Sequence, residues 1–168
     1  EDKADSIGDR VETPFDKEIK EFLLRSNIED EDAEWGKKAA ICGYGARLAY
    51  IDTEGRERVK NIAPWEVIIL SSNSIAEPEF GIRYYSVSRI LNDGTKQVFL
   101  KAEIYDSSKI YFYEANNDGD FKYINEQFHM FDYCPLFGLP NNEELMGDAE
   151  RVIKLIDAYD RTLSDASN

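Results

Sequence analysis

Near the start of the chain, apolar residues recur every three or four positions. Phe15, Ile19, Phe22 and Leu23 fall at i, i+4, i+7 and i+8, which is one face of a helix. The entry is well marked. Thr13 is suited to cap, Pro14 suits the first helical position, and Asp16 lies in the first turn. Residues 1–12 are polar and charged and predict a frayed lead-in. The acidic stretch Glu29–Glu34 reads as a separator before a second helix over about Asp32–Ile41, whose early carboxylates complement the helix dipole.

Beyond Gly43 and Gly45 the period changes to two. Arg47, Ala49 and Ile51 alternate with Leu48 and Tyr50, Asp52-Thr53-Glu54-Gly55 predicts a turn, and Val59–Ile62 returns. Pro64-Trp65 interrupts, and Val67–Leu70 is a short, fully apolar strand. Ser71–Pro78 is a polar loop. Ile82–Leu91 and Gln97–Tyr105 flank the turn signal Asn92-Asp93-Gly94. Lys109–Glu114 and Phe121–Ile124 form a further hairpin around Asn116–Asp120, and Glu126–Pro140 reads as irregular and apolar, crossing the core. A last helix is expected from about Asp148, with Val152, Leu155, Ile156, Tyr159 and Leu163 on one stripe. Glu150 with Lys154 and Asp157 with Arg161 are spaced for i,i+4 pairs. The stripe is expected to pack on this domain or on a neighbour, with the chain's own sheet the favoured partner. Helices, then a run of strands, then a helix predict α+β: N-terminal helices, an antiparallel meandering β-sheet and a C-terminal amphipathic helix, with 13–168 as one domain.

Composition adds bounds. The 168 residues suffice for one domain, and ten Tyr with nine Phe suit broad, half-buried strand faces. No run approaches the roughly 18 apolar residues of a membrane span, and no signal-peptide pattern is present. Twenty basic against thirty-four acidic residues give a net charge of -14. Tight nucleic-acid binding needs a basic face, so that class is disfavoured. Cys42 and Cys134 form no metal or CxxC spacing and read as two buried thiols in a reducing compartment. The chain begins at Glu1 without Met, which reads as a piece of something longer.

Candidate chemistry is sparse. Gly43-Tyr44-Gly45 lacks the third glycine of a dinucleotide loop, which would fall at Leu48, and follows a helix instead of a strand. Asn116–Asp120 resembles part of a calcium loop. With Gly119 at position six, however, position twelve is Asn125, not the bidentate glutamate. His129 and Cys134 are a conceivable catalytic pair with no activating cation in the sequence around them. No catalytic, cofactor-binding or metal residue is assigned.

Several stretches carry a resemblance when taken in order. They are Ala40-Ile41-Cys42-Gly43-Tyr44-Gly45-Ala46-Arg47-Leu48-Ala49-Tyr50-Ile51-Asp52 with Ile62-Ala63-Pro64, and Ala76-Glu77-Pro78-Glu79-Phe80-Gly81-Ile82-Arg83-Tyr84-Tyr85. Ala102–Ile110 and Cys134-Pro135-Leu136 follow. The most specific are Pro140-Asn141-Asn142-Glu143-Glu144, Gly147-Asp148-Ala149-Glu150, Leu155–Asp160 and Ser164–Asn168. From about Thr13 onward the chain resembles the middle of the tailed-phage portal proteins of the SPP1 type.

The resemblance implies a wing-region segment that stops before the stem and clip. It implies a ring of about a dozen identical subunits at one capsid vertex of the virion, made in the bacterial cytoplasm. Double-stranded DNA would pass through without tight binding, which an acidic balance suits. The implied partners are other portal subunits, the terminase, capsid or scaffold, and head-completion proteins, with no membrane, cofactor or catalysis. Two other readings stand beside it. A non-catalytic adaptor or scaffold-binding domain predicts an exposed apolar patch without a ring. A carboxylate-dependent hydrolase predicts two close carboxylates in a cleft, one with a raised pKa.

Overall fold

The computed structural model describes residues 13–71, 78–92, 94–116 and 119–166. The lead-in expected over 1–12, the centre of the polar loop, Asp93, Asn117 and Asp118 lie outside the described residues, as do the last two positions.

Helix α1 spans Pro14–Arg25 and begins as its sequence dictates. Thr13 Oγ1 accepts the Asp16 amide at 3.2 Å, and the Asp16 carboxylate accepts the Thr13 amide at 2.8 Å, a reciprocal capping box. Those hydrogen bonds to Thr13 hold the Asp16 carboxyl below its usual range. The helix stops at Ser26, and Asn27 adopts a left-handed φ of 48°. Helix α2 follows at once, Ile28–Cys42. The acidic stretch expected to separate the helices is therefore the first part of α2, where Glu29, Asp30 and Glu31 complement the amino-terminal dipole.

The strands are β1 (Tyr44–Ile51), β2 (Glu57–Ile62), β3 (Val67–Leu70), β4 (Phe80–Ile90), β5 (Lys96–Tyr105), β6 (Lys109–Ala115), β7 (Phe121–Phe128) and β8 (Leu136–Pro140). All pairings are antiparallel. They form two sheets, a three-stranded one in the order β2-β1-β8 and a five-stranded meander β3-β4-β5-β6-β7. The segment expected to be irregular over 126–140 holds two strand pieces. Glu126–Phe128 extend β7 against Lys109–Tyr111, and Leu136–Pro140 form β8 against Tyr44–Leu48.

Ala46, Leu48 and Ile62 from the small sheet meet Val67 and Tyr105 from the large one, with Cys134 and Leu136 between them. Leu136 and Ala46 are wholly buried. Cys42 is not buried as expected: it is the last residue of α2 and is exposed, while Cys134 is buried. Burial raises the pKa of the Cys134 thiol.

The last helix, α3, spans Ile153–Ala166 and starts later than expected. Glu150 precedes it in a turn and accepts the Gly147 amide at 3.1 Å, so it is not placed for the i,i+4 pair with Lys154. Every residue of α3 is exposed. The expectation that its stripe packs on the chain's own sheet is therefore overturned. The turn that launches the helix directs it away from the core.

Candidate interaction surfaces

Strand alternation gives the five-stranded sheet two unlike faces. The register aligns Ile82 with Ile104 and Tyr111, and Tyr84 with Ala102, Tyr113 and Tyr123. Ile68, Leu70, Val98, Leu100 and Phe121 share this face. Tyr113 and Tyr123 meet edge to face with centroids 5.8 Å apart, as a cross-strand pair on one face should. The face is open: Tyr84 is 43% exposed, Leu100 50% and Val98 57%. Its strand positions carry three charges, Lys96 and the Lys109–Glu126 ion pair.

The opposite face turns towards the small sheet and carries a polar cluster. Glu103 is buried and accepts hydrogen bonds from the hydroxyls of Tyr85 (2.6 Å) and Tyr105 (2.7 Å), with Arg83 Nη1 at 3.4 Å. The Arg83 guanidinium also lies 4.2 Å from the Tyr85 ring centre. Burial and the adjacent carboxylate push Tyr85 up to about 12 and raise Tyr105 further. Glu103 thus has its acceptors filled by three groups of its own sheet.

A second cluster joins α2 to the small sheet. Arg47 places Nη1 2.7 Å from Asp32 Oδ1 and Nε 3.0 Å from Asn61 Oδ1, with its guanidinium 4.1 Å from the Trp35 ring centre. Glu31 accepts the Asn61 amide at 3.0 Å and binds Lys60. Burial would raise the pKa of Glu31, but Lys60 and the Asn61 amide together hold it low.

The turn over 141–148 closes the end of α2. Asn141 N–H donates to Gly43 O at 3.0 Å, and Asp148 N–H donates to Ala40 O at 2.8 Å. These bonds satisfy carbonyls that a helix end leaves open. Asn141 Nδ2 and Asn142 Nδ2 both donate to Met146 O, at 2.9 and 2.8 Å, and Asn142 Oδ1 accepts the Met146 amide. Gly43 has φ 78°, and the Leu145 carbonyl occupies the space a side chain would need there. The asparagines before α3 therefore set where the helix leaves the body.

Each sequence candidate has a structural place. Gly43 ends α2 and Gly45 lies beneath Trp35, so the glycine pair is a helix stop and a packing site. At the tip of the β6–β7 hairpin Asn116 N–H donates to Asp120 O at 2.9 Å, and Asp120 N–H donates to Asn116 Oδ1 at 2.9 Å. His129 is buried. Its Nδ1 accepts the Phe131 amide at 3.2 Å, so Nε2 carries the proton and donates to Asp106 O at 3.0 Å. Cys134 Sγ faces the carbonyls of Tyr105 and Leu136. Imidazole and thiol are thus each engaged by backbone and not by one another. Among the described residues no group of three or more His, Cys, Asp or Glu is placed to hold a metal. No helix there is long and apolar enough to cross a membrane.

An open groove of about 730 Å³ separates α1 from the β1–β2 hairpin and the Phe131–Phe137 segment. Its arginines are engaged: Arg25 with Glu57 (3.5 Å), Arg56 with Glu54 (3.0 Å) and Arg58 with Asp52 (3.0 Å). The second open surface is α3, whose Leu155, Ile156, Tyr159 and Leu163 face solvent.

Among the described residues two apolar surfaces, the sheet face and α3, stand open on an α+β body. The chain belongs to the SPP1-type phage portal family. The family model described as "Phage portal protein, SPP1 Gp6-like" matches residues 1–168. The portal protein of Bacillus phage SPP1 is 30% identical over 130 residues, covering 68% of this chain and 25% of that relative. The chain thus spans about a quarter of the length of the curated relative it matches. The exposed strand face was accessible only through register. The sequence shows apolar residues at both parities of β4 and β5; the pairing tells which share a face, and their exposure tells which face is open.

Proposed function

We propose that this chain is a structural, non-catalytic part of a portal. In this reading the portal is a ring at one capsid vertex through which double-stranded DNA enters and leaves. The family match along all 168 residues is the observation that carries it. The chain would form the wing region, ahead of the stem and clip, in a virion protein made in the bacterial cytoplasm. Its partners would be further portal subunits, with terminase, capsid or scaffold, and head-completion proteins meeting the assembled ring.

Physical features support this reading. The open sheet face offers aromatic and aliphatic side chains with few charges, suiting protein contact better than phosphate contact. The net charge of -14 leaves passing DNA little to adhere to. Of the carboxylates with displaced acidity, Asp16, Glu31, Asp52 and Asp106 are all displaced downward, opposite to what a general acid needs. The open face also suits an adaptor, so assembly decides between the two. Electron microscopy of the full-length protein carrying this chain should show rings with a central channel and roughly twelve-fold symmetry. Dispersed monomers at high concentration would sink the portal reading in favour of an adaptor.

A further inference from the structure

We propose that α3 of one copy seats its apolar stripe on the open face of the five-stranded sheet of the next copy. The inference rests on the portal reading and names the surfaces through which subunits would meet. Both surfaces belong to the same chain, and no other described residue covers either. Leu155 is 70% exposed and Tyr159 64%, while Tyr84, Val98 and Leu100 lie open on the sheet.

The occupant is a second copy, for three reasons. First, α3 is held off its own sheet by a built turn. Asn141 and Asn142 bind the Met146 carbonyl, and Asp148 N–H caps Ala40 O. Second, the dimensions agree. Fourteen helical residues span about 21 Å, and five strands at about 4.8 Å spacing span about 19 to 24 Å. Third, the charges are compatible. The chain is strongly acidic, so random surfaces of two copies repel. On the sheet face, Lys96 and Lys109 outnumber Glu126. On α3, Asp157, Asp160 and Asp165 outnumber Lys154 and Arg161. The helix therefore meets a face whose small net charge is opposite to its own. Because one patch meets a different patch, the contact is heterologous and propagates around a ring.

The test uses the full-length protein in a Cys42→Ser background, which removes the exposed thiol. Leu100→Cys and Tyr159→Cys are introduced in separate proteins, mixed, assembled and oxidised. A disulfide-linked pair in the mixture, absent from either variant alone, is expected. In a parallel experiment Leu155→Asp should abolish assembled mass while leaving far-ultraviolet circular dichroism unchanged. Rings that assemble without the mixed cross-link, or that tolerate Leu155→Asp, overturn the docking and leave the portal reading standing. A Leu100→Cys/Tyr159→Cys double variant that links only at monomer mass also overturns it, because the helix would then cover its own sheet. Dispersed monomers from the unmodified protein overturn both readings.

Discussion

Gly81 and Leu136 meet where the two sheets meet. A methyl group added at Gly81 would stand 2.6 Å from Leu136 Cδ2 and 2.7 Å from its Cβ. Leu136 is wholly buried, and its chain neighbour Pro135 joins it among the most enclosed side chains. The absence of a Cβ on β4 is what lets β8 bring Leu136 against the large sheet.

From this contact follow two substitutions with different causes. Gly81→Ala forces the backbones apart and should cost about 1 to 3 kcal/mol, as overpacking does. Leu136→Ala leaves a cavity between the sheets and should cost about 2 to 5 kcal/mol. Urea unfolding measures both, and the Gly81→Ala/Leu136→Ala pair should recover part of the loss because alanine at 136 removes the Cδ2 contact while keeping the one at Cβ. Strict additivity would show that the two positions do not share a space.

Glu103 offers a pH prediction. Burial, then the hydrogen bond and charge of Glu103, push Tyr85 up to about 12, against an unfolded value of about 10. Because the folded pKa is raised, the stabilisation is complete below about pH 10 and is lost as pH rises through the window to about 12. Tyr105 is raised in the same direction and Tyr44 to about 12 by burial alone, which reinforces the alkaline loss. Glu103→Gln should lower the Tyr85 transition, seen as phenolate absorbance appearing at lower pH. It should also destabilise at neutral pH by about 1.5 to 3 kcal/mol, the range for hydrogen bonds to a charged group. A phenolate titration unchanged by Glu103→Gln would show that burial alone governs Tyr85.

How much of this was legible beforehand varies by element. The Thr13-Pro14-Asp16 signal marked α1 because capping is a local event within four residues. Hairpins such as Asp52–Gly55 were legible for the same reason: Asp52 Oδ1 accepts the Glu54 and Arg56 amides within the turn itself. Strand β8 was not, because Leu136–Pro140 pairs with Tyr44–Leu48 across most of the chain and no local period reports such pairing. The start of α2 was missed because a run of acids reads equally as a linker or as a dipole-stabilised first turn. Its identity depends on the left-handed turn at Asn27. The stripe on α3 was visible in the sequence, but its partner was not. Periodicity states that a face is apolar and is silent on what covers it.

Arg47 on β1 makes three contacts at once, to Asp32 and Trp35 of α2 and to Asn61 of β2. An ammonium group cannot span two acceptors while stacking on an indole. Arg47→Lys should therefore destabilise by about 1 to 2 kcal/mol and change Trp35 fluorescence, since the indole loses its stacked cation. Asp32→Asn should cost less, because that carboxylate is largely exposed and its pairing is screened. If Arg47→Lys left both unfolding and emission unaltered, the guanidinium would be a bystander to the α2–sheet junction.

Asn141 links the core to the turn that precedes α3. Its amide donates to Gly43 O, and its side chain bridges Met146 O and Asp148 Oδ1 at 2.9 and 2.8 Å. Asn141→Ala retains the backbone bond and loses both side-chain bonds, at an expected cost of about 1 to 2 kcal/mol. Asn141→Asp places a carboxylate beside the Met146 carbonyl and Asp148, exchanging two attractions for repulsion, and should be worse. Hydrogen exchange separates this local effect from global unfolding. Amides of residues 141–148 should lose protection in Asn141→Ala while those of β1 and β5 keep theirs. Uniform loss across all strands would mean that the turn is part of the cooperative core and not a separate support for the helix.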